Sequence, residues 1–378
     1  MRILLIGEYS LLHNSLKEGL IELGHEVILA ANRDGFKEYA TDHNYEAKWL
    51  TIKLLNIPRK AIYRIFNFDF ASIETGIRFY FFLPKLKDFD VVQFINEASI
   101  KTPKKFELFL MNKIYETNKK LYMVSTGIDY STLKFYIENK SKKSILQPYF
   151  QNPKQDKEFK PFFDYFDKNH IKIHHFIKEK FNGIIASDFD YVEANKVNTN
   201  YSGFIPCPVN TKKLVFKELI IEDKVIIFLG INKWSYHQKG IVFFEKALEI
   251  IKKKFKDKVE IITVNTIPYP VYIELYNKAH ILLDQLYCCD QGYNALEAMA
   301  KGKVVFTGAE SEFTEHYNII ERVCVNAIPD VDYLVKELSF LIENPSEIVK
   351  IGKRARAFIE KEHDYIRIAE KYLKTWES

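Results

Sequence analysis

The stretch from Asp284 to Gly308, DQLYCCDQGYNALEAMAKGKVVFTG, constrains the fold more than any other. An apolar run, Ala279 to Leu283, leads into it and reads as a buried parallel strand. A turn with Cys288, Cys289, Asp290, Gln291 and Gly292 follows. Tyr293 to Lys301 is rich in Ala, Leu, Glu and Met and reads as a helix. Gly302 is placed to end that helix, and Val304 to Phe306 starts the next strand. Strand, loop, helix, strand is one βαβ unit. Its loop sits at the C-terminal end of a strand and the N-terminus of a helix. Unpaired N–H groups and the helix dipole favour an anion there, and open α/β sheets bind ligands at such points.

Glu297 lies about one turn inside that helix, too far in for a cap. One reading makes it a solvated residue or a partner for Lys301 at i+4. The other makes it an acceptor for ligand hydroxyls. Its neighbours Leu296, Ala298 and Ala300 are small or apolar, so the helix is expected to pack closely.

The run GYNALEAMAKGKVVFTG resembles the signature of retaining, nucleotide-sugar-dependent glycosyltransferases of family 4, which have the GT-B fold. That signature reads roughly E-G-F-G-x-x-x-x-E-A-M-A-x-G-x-P-V. Gly292, Glu297, Ala298, Met299, Ala300, Gly302 and Val304 or Val305 match it. The first Glu of the family's pair falls on Cys289, and Lys303 stands where the Pro is expected. The resemblance implies that Glu297 holds the nucleotide ribose. Asp290, Asp284 and Gln285 are the candidates to replace the first Glu on the donor sugar. Tyr293 and Asn294, beside Gly292, complete the expected donor wall.

At 378 residues the chain exceeds a usual single core, so two domains are expected. The four Cys form no CxxC pair, which argues against a structural zinc site or a disulfide framework. MRILLIGEYS is too short in its apolar run for a signal peptide, and no stretch reaches the ~18 apolar residues of a membrane span. The expected setting is the cytoplasm. A net charge of +5 is modest. It fits small anionic substrates or an anionic membrane surface, and nucleic acid is not expected as a partner.

Arg2 to Ile6, the turn Gly7-Glu8-Tyr9-Ser10, the helix Ser15 to Leu23 and the strand Glu26 to Ala31 form an opening βαβ unit. No GxGxxG is present. Gly24-His-Glu-Val27 matches the family's entry into its second strand, and the loop at Gly7 would face the cleft. In Ile52 to Lys87, Phe66, Phe68, Phe70, Phe79, Phe81 and Phe82 interleave with Lys53, Arg59, Lys60, Arg64, Arg78, Lys85 and Lys87. Two core helices with basic faces are one reading. The other is a surface docked on anionic lipid at the inner face of the cell membrane. Strands are also expected at Phe89 to Phe94 and Leu121 to Ser125. Where many family members carry a cleft His, this chain has Thr126-Gly127-Ile128-Asp129, so Asp129 and Thr126 are candidates for an acceptor-facing role.

Residues 140 to 175 read as an insertion over the cleft mouth, with His170, His174 and His175 as surface or packing residues. Gly183 to Ser187 is the next strand, with Ser187 a cap for the helix after it. The run ending Val209-Asn210 resembles the family's interdomain segment. Lys224 to Gly230 opens the second domain, followed by the loop INKWSYHQK and Gly240. The family grips its donor diphosphate with a basic pair here; Lys239 matches the second element and Lys233 approximates the first. Fixed cations at that point stabilise the charge a leaving diphosphate gains.

The expected architecture is α/β: two doubly wound, Rossmann-like domains facing across a cleft. Residues 1–205 form the acceptor domain, 206–360 the donor domain, and 361–378 a helix crossing back to the first. The expected activity is a metal-independent, retaining glycosyltransferase with no cofactor. It would move sugar, a hexose first of all, from a nucleoside-diphosphate sugar to a glycan or lipid-linked acceptor. Lys239, Glu297, Lys233 and Asp129 are the expected catalytic set. Gly7, Asp284, Gln285, Asp290, Gly292, Tyr293 and Asn294 join the lysines and Glu297 in donor binding. One alternative is a GT-B-like epimerase or phosphorylase, although no lysine stands out for the pyridoxal group a phosphorylase needs. The other is a catalytically reduced sugar-nucleotide-binding or scaffold protein, with the cleft blocked by Tyr293 or Lys303.

Overall fold

The computed structural model describes residues 1–32, 39–66, 69–265 and 267–378. Seven strands build a first parallel sheet: β1 (Arg2–Ile6), β2 (Glu26–Ala31), β3 (His43–Asn44), β4 (Val91–Phe94), β5 (Lys120–Ser125), β6 (Gly183–Ala186) and β7 (Tyr201–Phe204). Their order is β3-β2-β1-β4-β5-β6-β7. Five more build a second: β8 (Val225–Ile231), β9 (Val259–Asn265), β10 (Ile281–Leu283), β11 (Val304–Thr307) and β12 (Val325–Asn326), ordered β12-β11-β10-β8-β9. Both sheets are parallel, in keeping with the mostly apolar, buried runs of β1, β4, β6, β10 and β11. The two-domain α/β expectation is met.

Strand order fixes where ligands can sit. In the first sheet the order reverses between β1 and β4, and in the second between β8 and β10. The loops that follow these strands therefore splay apart and leave a crevice. They are the turn at Gly7, the segment at Asn96, the loop before Gly240 and the loop after Leu283.

The last helix, Tyr365–Glu377, returns to the first domain and packs on helix Leu12–Glu22. Its Trp376 is buried, with the Trp376 carbonyl accepting from Lys120 Nζ at 2.7 Å. The two crossings between domains run side by side. Val209 pairs with Asp364, and its N–H donates to the His363 carbonyl at 2.7 Å. Apolar packing is continuous from Leu16 and Leu20 through Ile205 and Val209 to Phe313 and Phe358.

Several local expectations change. The first helix starts at Leu12, not Ser15, which takes His13 into its first turn, where burial is complete. Asp188, not Ser187, caps helix Phe189–Asn195; the Ser187 hydroxyl turns inward to the Ser125 carbonyl. Helices Lys53–Phe66 and Phe70–Phe82 form as expected in the basic aromatic stretch. Phe79 is core, yet Leu54, Ile57 and Phe81 are 82%, 78% and 73% exposed. Phe68 and the side chains of Lys53, Arg64 and Phe66 lie outside the described residues.

Candidate active site

The reversal in the second sheet brings Lys239 onto the unit at Asp284. Gly240 is left-handed at φ 69°, and a Cβ there would meet Leu286 Cδ1 at 2.6 Å. The loop can therefore press against the chain after β10, and Leu286 N–H donates to the Lys239 carbonyl at 3.1 Å. Asp284, nearly buried, accepts from Lys239 Nζ and Asn294 Nδ2, both at 3.0 Å. One carboxylate thus joins the loop lysine to the first turn of helix Tyr293–Ala300. No side chain caps that helix at Gly292, so its opening N–H groups face the crevice with the positive end of the dipole.

The helix faces the first domain: Tyr293 Oη and Ser15 Oγ lie 2.7 Å apart across the cleft. Beside them is a cavity of about 260 Å³ between the domains. Tyr9, Thr126, Gly127 and Ile128 line it from the first domain, with Gln285, Asp290, Gly292 and Tyr293 opposite. Glu297 is partly exposed, one turn beyond Tyr293 on the same face and outside the cavity lining.

Other expected residues fall elsewhere. Lys233 is exposed in a short 3-10 turn, Lys233–Ser235, away from the cavity wall. The Gly7 N–H is spent on the Ala30 carbonyl, and its own carbonyl accepts from His13 Nδ1 at 2.8 Å. Gly7 therefore shapes the turn and has no amide free for a donor. Asp129 is a buried helix cap: it accepts from Thr132 N–H at 2.7 Å and from the Ser125 hydroxyl. Thr126 does reach the cavity. Lys303 is not on the cavity wall; it donates to the Asn277 and Ala279 carbonyls, and burial draws its pKa down to about 8.

His170 and His174 are buried, the packing alternative and not the surface one. Both bond the carboxylate of Glu97 at 2.8 Å, from 73 and 77 residues away. Burial would raise Glu97, but hydrogen bonds and charge from the two imidazoles outweigh it and hold the group at about 2. Glu97 also accepts from Tyr130 N–H at 2.9 Å, so it anchors the loop that carries Thr126 to Ile128.

The sequence reading missed Asp188, the cap of helix Phe189–Asn195, and Asp190 in its first turn, which line the same cavity. Asp190 accepts from Cys289 N–H at 3.1 Å, and Asp290 accepts from Phe189 N–H at 3.2 Å. The first domain thus places a carboxylate beside position 289, where the resembled family has its own Glu. Among the described residues, Asp188, Asp190 and Asp290 bring carboxylate oxygens within 4.8 Å of one another, a spacing that could hold a metal ion. Burial and mutual repulsion push Asp188 and Asp290 up; burial chiefly raises Asp190, to about 6. The signal was two Asp at a strand's C-terminal end, in SDFD.

Residues 239–374 match the family model described as glycosyl transferase-like, a match that begins at Lys239. No curated protein matches the sequence significantly. Among solved structures, sucrose-phosphate synthase from Thermosynechococcus elongatus is similar at TM-score 0.61 and 16% identity, covering 100% of this chain and 98% of that one. Anabaena HepE, in complex with UDP and glucose, has TM-score 0.57 and 10% identity, covering 100% and 99%. A Listeria monocytogenes protein described as a UDP-N-acetylglucosamine 2-epimerase has TM-score 0.54 and 11% identity, covering 98% and 94%. At these identities the likeness shows a shared fold, that of the GT-B glycosyltransferases.

Proposed function

We propose that the chain is a retaining glycosyltransferase. It moves a sugar, a hexose first of all, from a nucleoside-diphosphate donor to a hydroxyl of a glycan or lipid-linked acceptor in surface polysaccharide or glycolipid synthesis. The observation that carries this reading is the junction of Lys239, Asp284 and Asn294 at an uncapped helix N-terminus facing the other domain. The glycosyl transferase-like match over the same residues supports it.

The donor diphosphate sits against Lys239 and the opening amides of helix Tyr293–Ala300, and Glu297 holds the ribose hydroxyls. The sugar reaches the interdomain cavity past Gly292. As the bond from sugar C1 to the phosphate oxygen breaks, Lys239 and the helix dipole stabilise the charge gathering on the diphosphate. The acceptor hydroxyl bonds C1 from the same face and passes its proton to the departing phosphate oxygen. No cofactor enters this scheme. Closure of the domains keeps water from the reacting centre.

Docking on an anionic membrane by the 52–87 stretch would bring a lipid-linked acceptor to the cleft at the inner face of the cell membrane. Exposed Leu54, Ile57 and Phe81 beside exposed Lys60, Lys85 and Lys87 support that role. No helix among the described residues is long and apolar enough to cross a membrane. Co-sedimentation should favour anionic over neutral vesicles, and equal partition would argue against docking.

Calorimetric titration tests the donor site. Lys239→Ala should lose about 100-fold in transfer, the scale of removing one charge-stabilising donor. Glu297→Ala should weaken donor binding about 10- to 100-fold, as for a lost hydrogen bond to a charged group. Unchanged binding in both folded variants would count against these roles. Cys289, where the family has Glu, favours a second reading: a sugar-nucleotide-binding scaffold, which would bind donor and never turn it over.

A further inference from the structure

The cavity that would receive the transferred sugar has an unusual wall. Three of its lining residues are acidic, Asp188, Asp190 and Asp290, and no lining residue is Lys, Arg or His. Lys143 acts on Asp190, but its ammonium is engaged by Glu310 and by the Ala327 carbonyl at 3.1 Å. The rest of the wall is largely apolar or aromatic, including Leu12, Tyr136, Ile145, Tyr191 and Cys288.

Resting on the donor-site reading above, we infer that this cavity selects an uncharged, hydroxyl-rich sugar and rejects one bearing a carboxylate. A neutral hexose offers O–H donors to the acidic wall. A hexuronate adds a fourth carboxyl to three that already crowd one another, with no cation to receive it. Carboxylate oxygens of the three Asp already lie within 4.8 Å of one another, so the site has no spare capacity for further negative charge. Repulsion between like charges a few ångströms apart, partly screened by the open side of the cavity, corresponds to about 100-fold in affinity.

The test is calorimetry on the full chain with UDP, UDP-glucose and UDP-glucuronate, and in parallel with GDP, GDP-mannose and GDP-mannuronate. The hexose ester should bind at least as tightly as its bare diphosphate, and the hexuronate ester about 100-fold more weakly than the hexose. Equal binding of the two esters, or tighter binding of the hexuronate, overturns the inference while the bare diphosphate still reports an intact donor site. If neither UDP nor GDP binds, the donor-site reading falls and this inference with it. Asp190→Asn and Asp188→Asn should each narrow the hexose-to-hexuronate ratio, and the ratio within one variant needs no comparison of stabilities. Repeating the wild-type series with magnesium and then EDTA provides the last arm. A discrimination that vanishes with magnesium would mean the carboxylates hold a cation, and would overturn the inference.

Discussion

Two buried histidines weaken the fold in acid. His13 Nδ1 donates to the Gly7 carbonyl, and its Nε2 lies 3.2 Å from Gln93 Nε2, so the neutral ring with one accepting nitrogen fits both contacts. His363 Nδ1 donates to the Cys207 carbonyl at 2.9 Å, and its Nε2 has no partner among the described residues. Burial lowers the first to about 3 and the second to about 4, outweighing in each case the hydrogen bond that favours charge. The unfolded chain protonates both near the ordinary value of 6.5. Below that pH the unfolded state therefore binds more protons, and stability falls as pH drops. The effect is fully present above 6.5 and runs down to about 3 to 4. Each group contributes about 1.4 kcal/mol per pH unit at its steepest. Burial raises Glu107 to about 7 and Asp190 to about 6, and these carboxyls act in the opposite sense, so the histidine contribution is read by difference. Urea unfolding at pH 7 and pH 5 should show a smaller acid loss in His363→Gln than in wild type, and an equal pH dependence of the two would contradict the neutral assignment.

At the scale of elements, the return helix binds the first domain through a very close approach. A Cβ on Gly19 would stand 2.2 Å from the Tyr365 carbonyl oxygen and 2.9 Å from Ala369 Cβ. Gly19→Ala must push helix Tyr365–Glu377 outward, at a cost of about 1–3 kcal/mol. Trp376→Ala, which empties a buried site, should cost about 3–5 kcal/mol. Thermal unfolding measures both, and an unchanged midpoint for either would show that the helix can shift freely. This packing was only partly legible beforehand. The amphipathic pattern of residues 365–376 called for a helix, but no local pattern marks Gly19 as its contact. The same divide runs through the site. Asp284, Gly292, Asn294 and Glu297 lie in one short stretch, where strand, turn and helix signals reinforce each other. Asp190 meets Cys289 across 99 residues, and Glu97 meets its histidines across more than 70. Such pairs follow from strand order, which periodicity does not encode. Lys233 failed to reach the crevice for a related reason: a 3-10 turn carries it outward, and loop spacing does not reveal that.

For the whole molecule, the decisive contact is made by the insertion between the first domain's later strands. Helix Asp156–Phe163 belongs to the first domain but reaches the loop that carries Lys239. The Glu158 carboxylate accepts from the backbone N–H groups of His237 at 3.1 Å and Gln238 at 2.9 Å, and bonds His237 Nδ1 at 2.7 Å. A second tie joins Lys143 to Glu310 and the Ala327 carbonyl. With the paired strands of chain at Val209 and Asp364 acting as the pivot, these ties close the cleft from the opposite side. Glu158→Ala removes all three bonds to the loop at once, while helix Asp156–Phe163 keeps Phe159 in its own apolar cluster. The domains should then spend more time apart. The radius of gyration from small-angle X-ray scattering should rise, and the loop bearing Lys239 should lose hydrogen-exchange protection. Glu158→Gln, which retains one accepting oxygen, should fall between the two. Equal scattering curves for wild type and Glu158→Ala would mean that the other bonds across the cleft, among them Tyr293 to Ser15 and Cys289 to Asp190, hold it closed without Glu158.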